Sequence, residues 1–422
     1  MQTSTETRAP RIAAPLLVLV MSLSACGGGG GGSAGPADIP SASGRALATV
    51  LPLSTQTTGD AANVLPIAVG RASKVNLPMA SVTLCAPGTA DCQTIDNVLV
   101  DTGSIGLRIA ASALTGPALA TQADASGAVI GECSQFADGY AWGSVKTADV
   151  KLAGETAASL SVQVIGDGSV GAPPAACAST GRAKDVVRDL GANGILGLGA
   201  FRHDCGTACE QSSTMGIYYA CTASGCRSTS RAAALQVTNP VTRFAANNNG
   251  LVVQLPAVPT TGAARVDGSL VFGIGTQTNN TLGGASVFAL STLTGGMMTF
   301  YKGQALDHSF LDTGSNALFF SDSSFPPCGN TLGNGFYCAA ASQSLTATIQ
   351  GINGVNANVS FSVANADALL ATGASAFSNI AAPVWSSRTF DWGLPFFFGR
   401  RVFVAIEDAT VPGAGNGPFV AF

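Results

Sequence analysis

The chain has 422 residues, 46% of them hydrophobic and only 10% charged, with a formal net charge of −4. That length calls for two cores or a two-part body rather than one small domain. The absence of a basic cluster argues against nucleic acid as a partner, and 2 His leave too little imidazole for a histidine-based mechanism or a multi-histidine metal site.

In chain order the first feature is an address. Arg8 and Arg11 precede an apolar run from Ile12 to Ala25, shorter than a helix needs to cross a bilayer. The run ends Leu23-Ser24-Ala25-Cys26, and a long Gly stretch follows. This resembles a bacterial lipoprotein signal, which implies that residues 1–25 are removed and that Cys26 carries the lipid as the mature N-terminus. Gly27 stands where an inner-membrane retention signal would have Asp, so the expected location is the outer membrane, with the lipid anchor as the contact with it. Residues 26–61 are mostly Gly, Ser, Ala, Pro and Thr. They lack the large apolar groups of a core and read as a flexible tether.

Beyond the tether, Gly 52 and Pro 20 punctuate segments rich in Val, Thr, Leu, Ala and Phe. Short strands joined by turns fit this pattern better than long helices, so the expected class is all-β. An N-terminal lobe is expected over 62–265 and a C-terminal lobe over 266–422, the latter opening near Gly268-Ser269-Leu270-Val271-Phe272-Gly273. Ten cysteines remain after Cys26. Cys85 and Cys92, Cys205 and Cys209, Cys221 and Cys226, and Cys328 and Cys338 are close neighbours, and Cys133 and Cys177 form a longer pair. An exported protein is expected to hold them as five disulfides, although spacing does not fix the connectivity. The alternative, a zinc site from His203, Cys205, Cys209, Cys221 and Cys226, has irregular spacing in the wrong compartment. The stretch from Arg202 to Ser230 reads as a stapled loop, Asn247-Asn248-Asn249-Gly250 as a turn, and Phe396-Phe397-Phe398 as core strand. Neither a phosphate loop nor a dinucleotide fingerprint is visible, so no cofactor and no metal are expected.

Two distant segments match each other. The first reads Asn97-Val98-Leu99-Val100-Asp101-Thr102-Gly103-Ser104-Ile105-Gly106-Leu107-Arg108-Ile109, and the second His308-Ser309-Phe310-Leu311-Asp312-Thr313-Gly314-Ser315-Asn316-Ala317-Leu318-Phe319-Phe320. Each is an apolar strand, Asp-Thr-Gly-Ser, two further residues, and another apolar strand. Asp and Gly are ordinary turn residues, but unrelated turns do not share a tetrapeptide together with both flanks. The 211-residue offset is that of a duplicated domain, not of a solenoid. In such a pair Gly103 and Gly314 let the chain bend tightly after each Asp. Thr102 and Thr313 offer hydroxyls to the facing loop, and Ser104 and Ser315 each donate to the Asp three positions earlier. Asp101 and Asp312, if brought together, hold one proton between them.

With these motifs the chain resembles the pepsin-type aspartic peptidases. Further landmarks follow in that family's order: Asn193-Gly194-Ile195-Leu196-Gly197-Leu198-Gly199 resembles the segment passing through the first catalytic loop. Phe136 to Ser144, with Asp149 to Gly154, resembles the flap hairpin and its return strand, and Trp392 to Ile406 is similar to the closing strand pair. The resemblance covers about Leu77 to Phe422. More narrowly, the lipobox, Gly run and Cys-rich body look like an uncharacterised family of bacterial lipoproteins with this signature. It implies a bilobal, pepsin-like fold with few short helices and an active-site cleft between the lobes. It also implies a monomer that hydrolyses polypeptide substrates with Asp101 and Asp312. Two places depart from the family pattern. Tyr140 is the flap candidate, with Phe136 and Trp142 as rivals, and Leu394-Pro395 stands where an apolar-Gly pair is expected, placing the support of the second loop in question. A non-catalytic lipoprotein that binds through the same scaffold is the alternative function. Glycoside hydrolysis by paired carboxylates is weaker still, because it does not need two symmetric turns.

Overall fold

The computed structural model describes residues 61–422 except 71, 186 and 385; the signal segment, Cys26 and nearly all of the tether lie outside the described residues. Strands dominate, and the α-helices are single short turns: Ala175–Ala178, Val187–Leu190, Gly206–Gln211 and Ala366–Leu370. The all-β expectation holds. Among the described residues no helix is long and apolar enough to cross a membrane.

Each Asp-Thr-Gly-Ser sequence sits in the same local weave of strands. Strand Cys92–Asp101 runs parallel to Gly194–Leu198, with Val100 opposite Leu196 and Asp101 opposite Gly197. Gly194–Leu198 in turn pairs antiparallel with Ile105–Ala110, the strand that leaves the Asp101 loop. In the second half, Gln304–Leu311 runs parallel to Asp391–Trp392, with Leu311 opposite Trp392. Asp391–Trp392 then pairs antiparallel with Leu318–Phe319. The outgoing strands are also matched, since Ile105–Ala110 lies parallel to Glu155–Ile165 and Leu318–Phe319 parallel to Ala381–Ala382. Ile105–Ala110 and Gly194–Leu198 are buried along their whole length, the condition under which parallel strands are continuously apolar.

The register resolves the expected departure at Leu394-Pro395. Trp392 occupies the place of Leu196, so Gly393 takes the part of Gly197. A Cβ on Gly393 would lie 2.1 Å from the Ala317 carbonyl oxygen, and one on Gly197 would lie 2.7 Å from Ile105 backbone atoms. Pro395 then corresponds to Gly199. The Gly199 N–H donates to the Ser104 carbonyl at 2.9 Å, whereas in the second half the Leu394 N–H donates to the Ser315 carbonyl at 2.7 Å. Proline has no N–H to give, and the bond has moved by one residue instead of being lost.

One sixteen-stranded sheet runs through both halves of the chain, beside a seven-stranded and a two-stranded sheet. Strand Val64–Val69 pairs antiparallel with Val266–Phe272, which pairs with Gly250–Leu255, which pairs with Arg400–Ala405. Hydrogen bonding is thus continuous across residue 265, and the largest apolar cluster draws side chains from both sides of it.

Two sequence expectations are corrected. The Arg202 to Ser230 stretch is not a loop: it forms the Gly206–Gln211 helix and a hairpin, Tyr218–Thr222 with Gly225–Ser228. That hairpin joins the main sheet through strand Val129–Phe136 because Tyr218 and Tyr219 are buried. Phe396, Phe397 and Phe398 are core, as expected, but not strand; Leu394–Phe396 is a 3-10 turn, the conformation Pro395 favours. The Asn247 to Gly250 run does turn, yet Asn247 and Asn249 are buried, and Asn249 exchanges hydrogen bonds with Ile274 on both sides of its amide. All ten cysteines close into five disulfides, Cys85–Cys92, Cys133–Cys177, Cys205–Cys209, Cys221–Cys226 and Cys328–Cys338.

Gly393→Ala is expected to lower the unfolding free energy by about 1–3 kcal/mol, the cost of overpacking against atoms that cannot yield. Gly329→Ala, where a Cβ would meet nothing within 4 Å, should stay within about 0.5 kcal/mol. Denaturant titration of the two variants side by side measures the difference; equal midpoints would remove Gly393 as the steric constraint on the second loop.

Candidate active site

The two Asp-Thr-Gly-Ser loops meet face to face. The Thr102 N–H donates to the Thr313 hydroxyl at 3.0 Å, and the Thr313 N–H donates to the Thr102 hydroxyl, also at 3.0 Å. Each hydroxyl passes its own proton on, Thr102 to the Leu311 carbonyl at 3.2 Å and Thr313 to the Val100 carbonyl at 2.8 Å. Four hydrogen bonds therefore tie residues 209 to 213 apart in sequence, and each hydroxyl both donates and accepts.

The carboxylates are held in equivalent ways. Gly103 N–H donates to Asp101 Oδ1 at 2.7 Å and Ser104 Oγ donates to Oδ2 at 2.5 Å. Gly314 N–H donates to Asp312 Oδ1 and Ser315 Oγ to Oδ2, both at 2.7 Å. Neither Gly103 nor Gly314 has a positive φ, so bending is not what requires glycine here. A Cβ on Gly103 would stand 2.6 Å from Asp312 Cγ, and one on Gly314 would stand 2.7 Å from Asp101 Cγ. Each glycine is the floor on which the opposite carboxylate rests.

Asp101 and Asp312 are each 7% exposed. The Asp312 carboxyl is pushed well above the ordinary carboxylate range, first by burial, then by the charges of Asp101 and Asp391, then by its hydrogen bond with Asp101. Two acids this close cannot both ionise without cost, so the pair retains a proton where isolated aspartates have lost theirs. The arrangement can hold a water between an acid and a base, or present a proton to a carbonyl.

Eight of the sequence-predicted site residues thus come together: Asp101, Thr102, Gly103, Ser104, Asp312, Thr313, Gly314 and Ser315. Tyr140 does not join them through a hydrogen bond. It is buried in a cluster with Cys133, Trp142, Cys177 and Tyr219, and burial pushes its phenol upward. Its backbone is tied sideways, with Tyr140 N–H donating to Arg182 carbonyl at 3.0 Å and Lys184 N–H donating to Tyr140 carbonyl at 2.7 Å. The hairpin of Val129–Phe136 and Gly139–Leu152 is further fixed to the next segment by Cys133–Cys177.

Two features escaped the reading of the sequence. Asp391, 1% exposed, brings Oδ2 to 2.6 Å from Ser315 Oγ, the hydroxyl that also meets Asp312. Arg108, on the strand leaving the first loop, pairs with buried Glu132 at 2.5 Å and with Asp204 at 3.4 Å, and its Nε donates to Ser134 Oγ at 2.5 Å. Asp204 also accepts from the Tyr218 hydroxyl at 2.7 Å, and burial, then Glu132, pushes Asp204 well upward. The signal in each case was a lone charge in an apolar strand: Leu107-Arg108-Ile109, Gly131-Glu132-Cys133 and Phe390-Asp391-Trp392.

The family described as protein of unknown function (DUF3443) has a model that matches residues 59–422, and the chain belongs to that family. Comparison with curated proteins gives no match.

Thr102→Val removes the acceptor for a buried N–H and the donor to a buried carbonyl, and is expected to cost about 2–4 kcal/mol of stability. Thr313→Val should cost a similar amount. Because both act on one seam, the double variant is expected to fall short of the sum by at least about 0.5 kcal/mol. Strict additivity in calorimetry or denaturant titration would mean that the four bonds do not act as a unit.

Proposed function

We propose that this member of the DUF3443 family is an aspartic-type endopeptidase of the bacterial envelope. In this reading residues 62–265 and 266–422 are the two lobes of a pepsin-like body, and an extended polypeptide lies in the cleft between them. The observation that carries the reading is the facing pair itself: two carboxyls on mutually hydrogen-bonded loops, with the Asp312 carboxyl pushed upward by burial and then by Asp101. The charged member takes a proton from water as the water oxygen attacks the scissile carbonyl carbon. The protonated member gives its hydrogen bond, then its proton, to the carbonyl oxygen. Collapse of the gem-diol breaks the C–N bond as the amine nitrogen takes a proton from one acid and a gem-diol hydroxyl returns its proton to the other, which leaves a carboxylic acid, an amine and the pair with one proton.

Lipidation at Cys26 would hold this body at the outer membrane, with residues 26–61 as the tether. Five disulfides suit an oxidising compartment of this kind. Cys26→Ser is expected to move the protein from the membrane fraction to the soluble one and to abolish labelling by fatty acid; retention in the membrane fraction would remove the anchor.

A second reading, a non-catalytic binder on the same scaffold, is favoured by one observation. The hairpin expected to close over the substrate is fastened by Cys133–Cys177 and by the Arg182 to Lys184 ladder, which restrains it. Single Asp101→Asn and Asp312→Asn variants of the soluble form (residues 62–422) separate the two readings. A peptidase loses turnover of a denatured protein or fluorogenic peptide by about 10²-fold or more while its circular dichroism is unchanged. Activity should decline as pH rises above neutral, because the pair must keep one proton. Absence of cleavage at any pH between 3 and 8 (roughly the span over which carboxyl pairs titrate), with no binding of peptides carrying a hydroxyl in place of the scissile carbonyl, would leave the binder.

A further inference from the structure

We infer that Asp391 is a third acid of the site, a positioning residue that carries a proton and orients the Ser315 hydroxyl toward Asp312. The inference rests on the peptidase reading for its consequence in catalysis, but not for its geometry. Ser315 Oγ lies 2.7 Å from Asp312 Oδ2 and 2.6 Å from Asp391 Oδ2. A hydroxyl has one proton, so it cannot donate to both oxygens. One of the two contacts must run the other way, with a carboxylic acid donating to Ser315 Oγ. Asp391 is the one suited to do so.

Three observations select it. Its other oxygen, Oδ1, is buried without a hydrogen-bond partner; that costs less for the carbonyl oxygen of a neutral acid than for a carboxylate. Its strand neighbours opposite are Phe310 and Phe319, and no ion pair reaches it among the described residues. The titratable groups that face it are Asp312, through Ser315, and Asp101; burial pushes Asp391 upward, the Ser315 hydrogen bond opposes it, the charge of Asp101 adds to it, and the net is well upward. No cation opposes that push.

The internal two-fold shows that the backbone does not require this acid. The register that places Trp392 at the position of Leu196 places Asp391 at the position of Ile195, an apolar residue packed with Leu99 and Ala110. Ser104 accordingly has a single acidic partner, Asp101. The site is a chain, Asp391 Oδ2–H to Ser315 Oγ, then Ser315 O–H to Asp312 Oδ2, attached to one member of the pair. Three carboxyls hold two protons.

The test has an arm that needs no catalysis. A carboxyl raised in the folded state keeps a proton that the unfolded chain releases above about pH 4. Its stabilising contribution is therefore complete below that pH and is lost as pH rises toward the folded value. Asp391→Asn keeps the shape and removes the titration. The folding constant of the natural protein relative to Asp391→Asn should fall about tenfold per pH unit above pH 5, until the folded value is reached, by denaturant titration at successive pH values. Parallel curves would overturn the proposal. Should the Asn variant not fold, Asp391→Ile, the side chain found at the symmetric position, gives the same comparison. In the activity arm, the natural protein's alkaline limb should steepen toward loss of two protons, while that of Asp391→Asn reports one. Identical limbs in an active enzyme would remove the positioning role. An inactive natural protein with the expected stability difference would instead sink the peptidase reading and leave the three-acid chain standing.

Discussion

The reciprocal exchange between Thr102 and Thr313 is the interaction on which the rest of the site depends. Each threonine hydroxyl accepts from the opposite backbone N–H and donates to the opposite incoming strand, so neither loop reaches its conformation without the other. The consequence is steric as well as polar. Once the threonines engage, Gly103 lies against the Asp312 carboxyl and Gly314 against that of Asp101, with no room for a side chain at either place. The spacing of the two acids is thereby set by bonds between the threonine hydroxyls and the facing backbone rather than by the aspartate side chains themselves. That is the condition for a pair whose protons are shared rather than separately titrated. The continuous pairing from Val64–Val69 through Val266–Phe272 to Arg400–Ala405 keeps the two halves from separating at this seam.

What the sequence made legible was local and repeated. A tetrapeptide with apolar flanks carries its own turn and its own strands, and its second copy carries the same information, so both loops and their pairing partner Gly194–Leu198 could be read directly. The Val and Thr content with frequent Gly and Pro was enough for the all-β class. Interactions set by tertiary register were not legible. Gly393 and Pro395 could be assigned their parts only once Leu311 was seen opposite Trp392; in the sequence the proline looked like a replacement for the glycine whose part Gly393, two residues earlier, takes. The Cys-rich stretch read as a loop because its composition is polar. Its order comes from Tyr218 and Tyr219 packing on strand Val129–Phe136 and from Cys221 facing Cys226 across a hairpin. Tyr140, the flap candidate among Phe136 and Trp142, has its ring packed among cysteines and aromatics. That burial is tertiary, and a single sequence does not contain it.

The duplication is close in backbone and loose in chemistry. Arg108 follows Asp101 by the same interval at which Phe319 follows Asp312. Around Arg108 the first half builds a buried ionic network with Glu132, Ser134 and Asp204. Below the second loop stand rings instead: Phe320 stacked on Phe390 at 4.7 Å and Phe390 on Trp392 at 4.1 Å. A buried network of charges is costly unless every member is matched, and Glu132 Oε2 has no partner. Its role is to connect the strand leaving the Asp101 loop to the hairpin strand Val129–Phe136 and to Asp204 ahead of the Gly206–Gln211 helix, which fixes their relative position.

Such divergence has a consequence for a site made of two equal turns. Perfect two-fold symmetry would leave the shared proton with no preferred side, yet general acid and general base are different tasks. The local donors, a Gly N–H and a Ser hydroxyl, are the same on both aspartates and cannot assign them. The assignment has to come from what lies behind the loops. Behind Asp101 the symmetric position is Ile195, which adds burial and no charge. Behind Asp312 it is Asp391, joined to it through one hydroxyl. A single aspartate in place of an isoleucine therefore makes the two halves of the pair chemically unequal while leaving the strands that carry them superimposable in register.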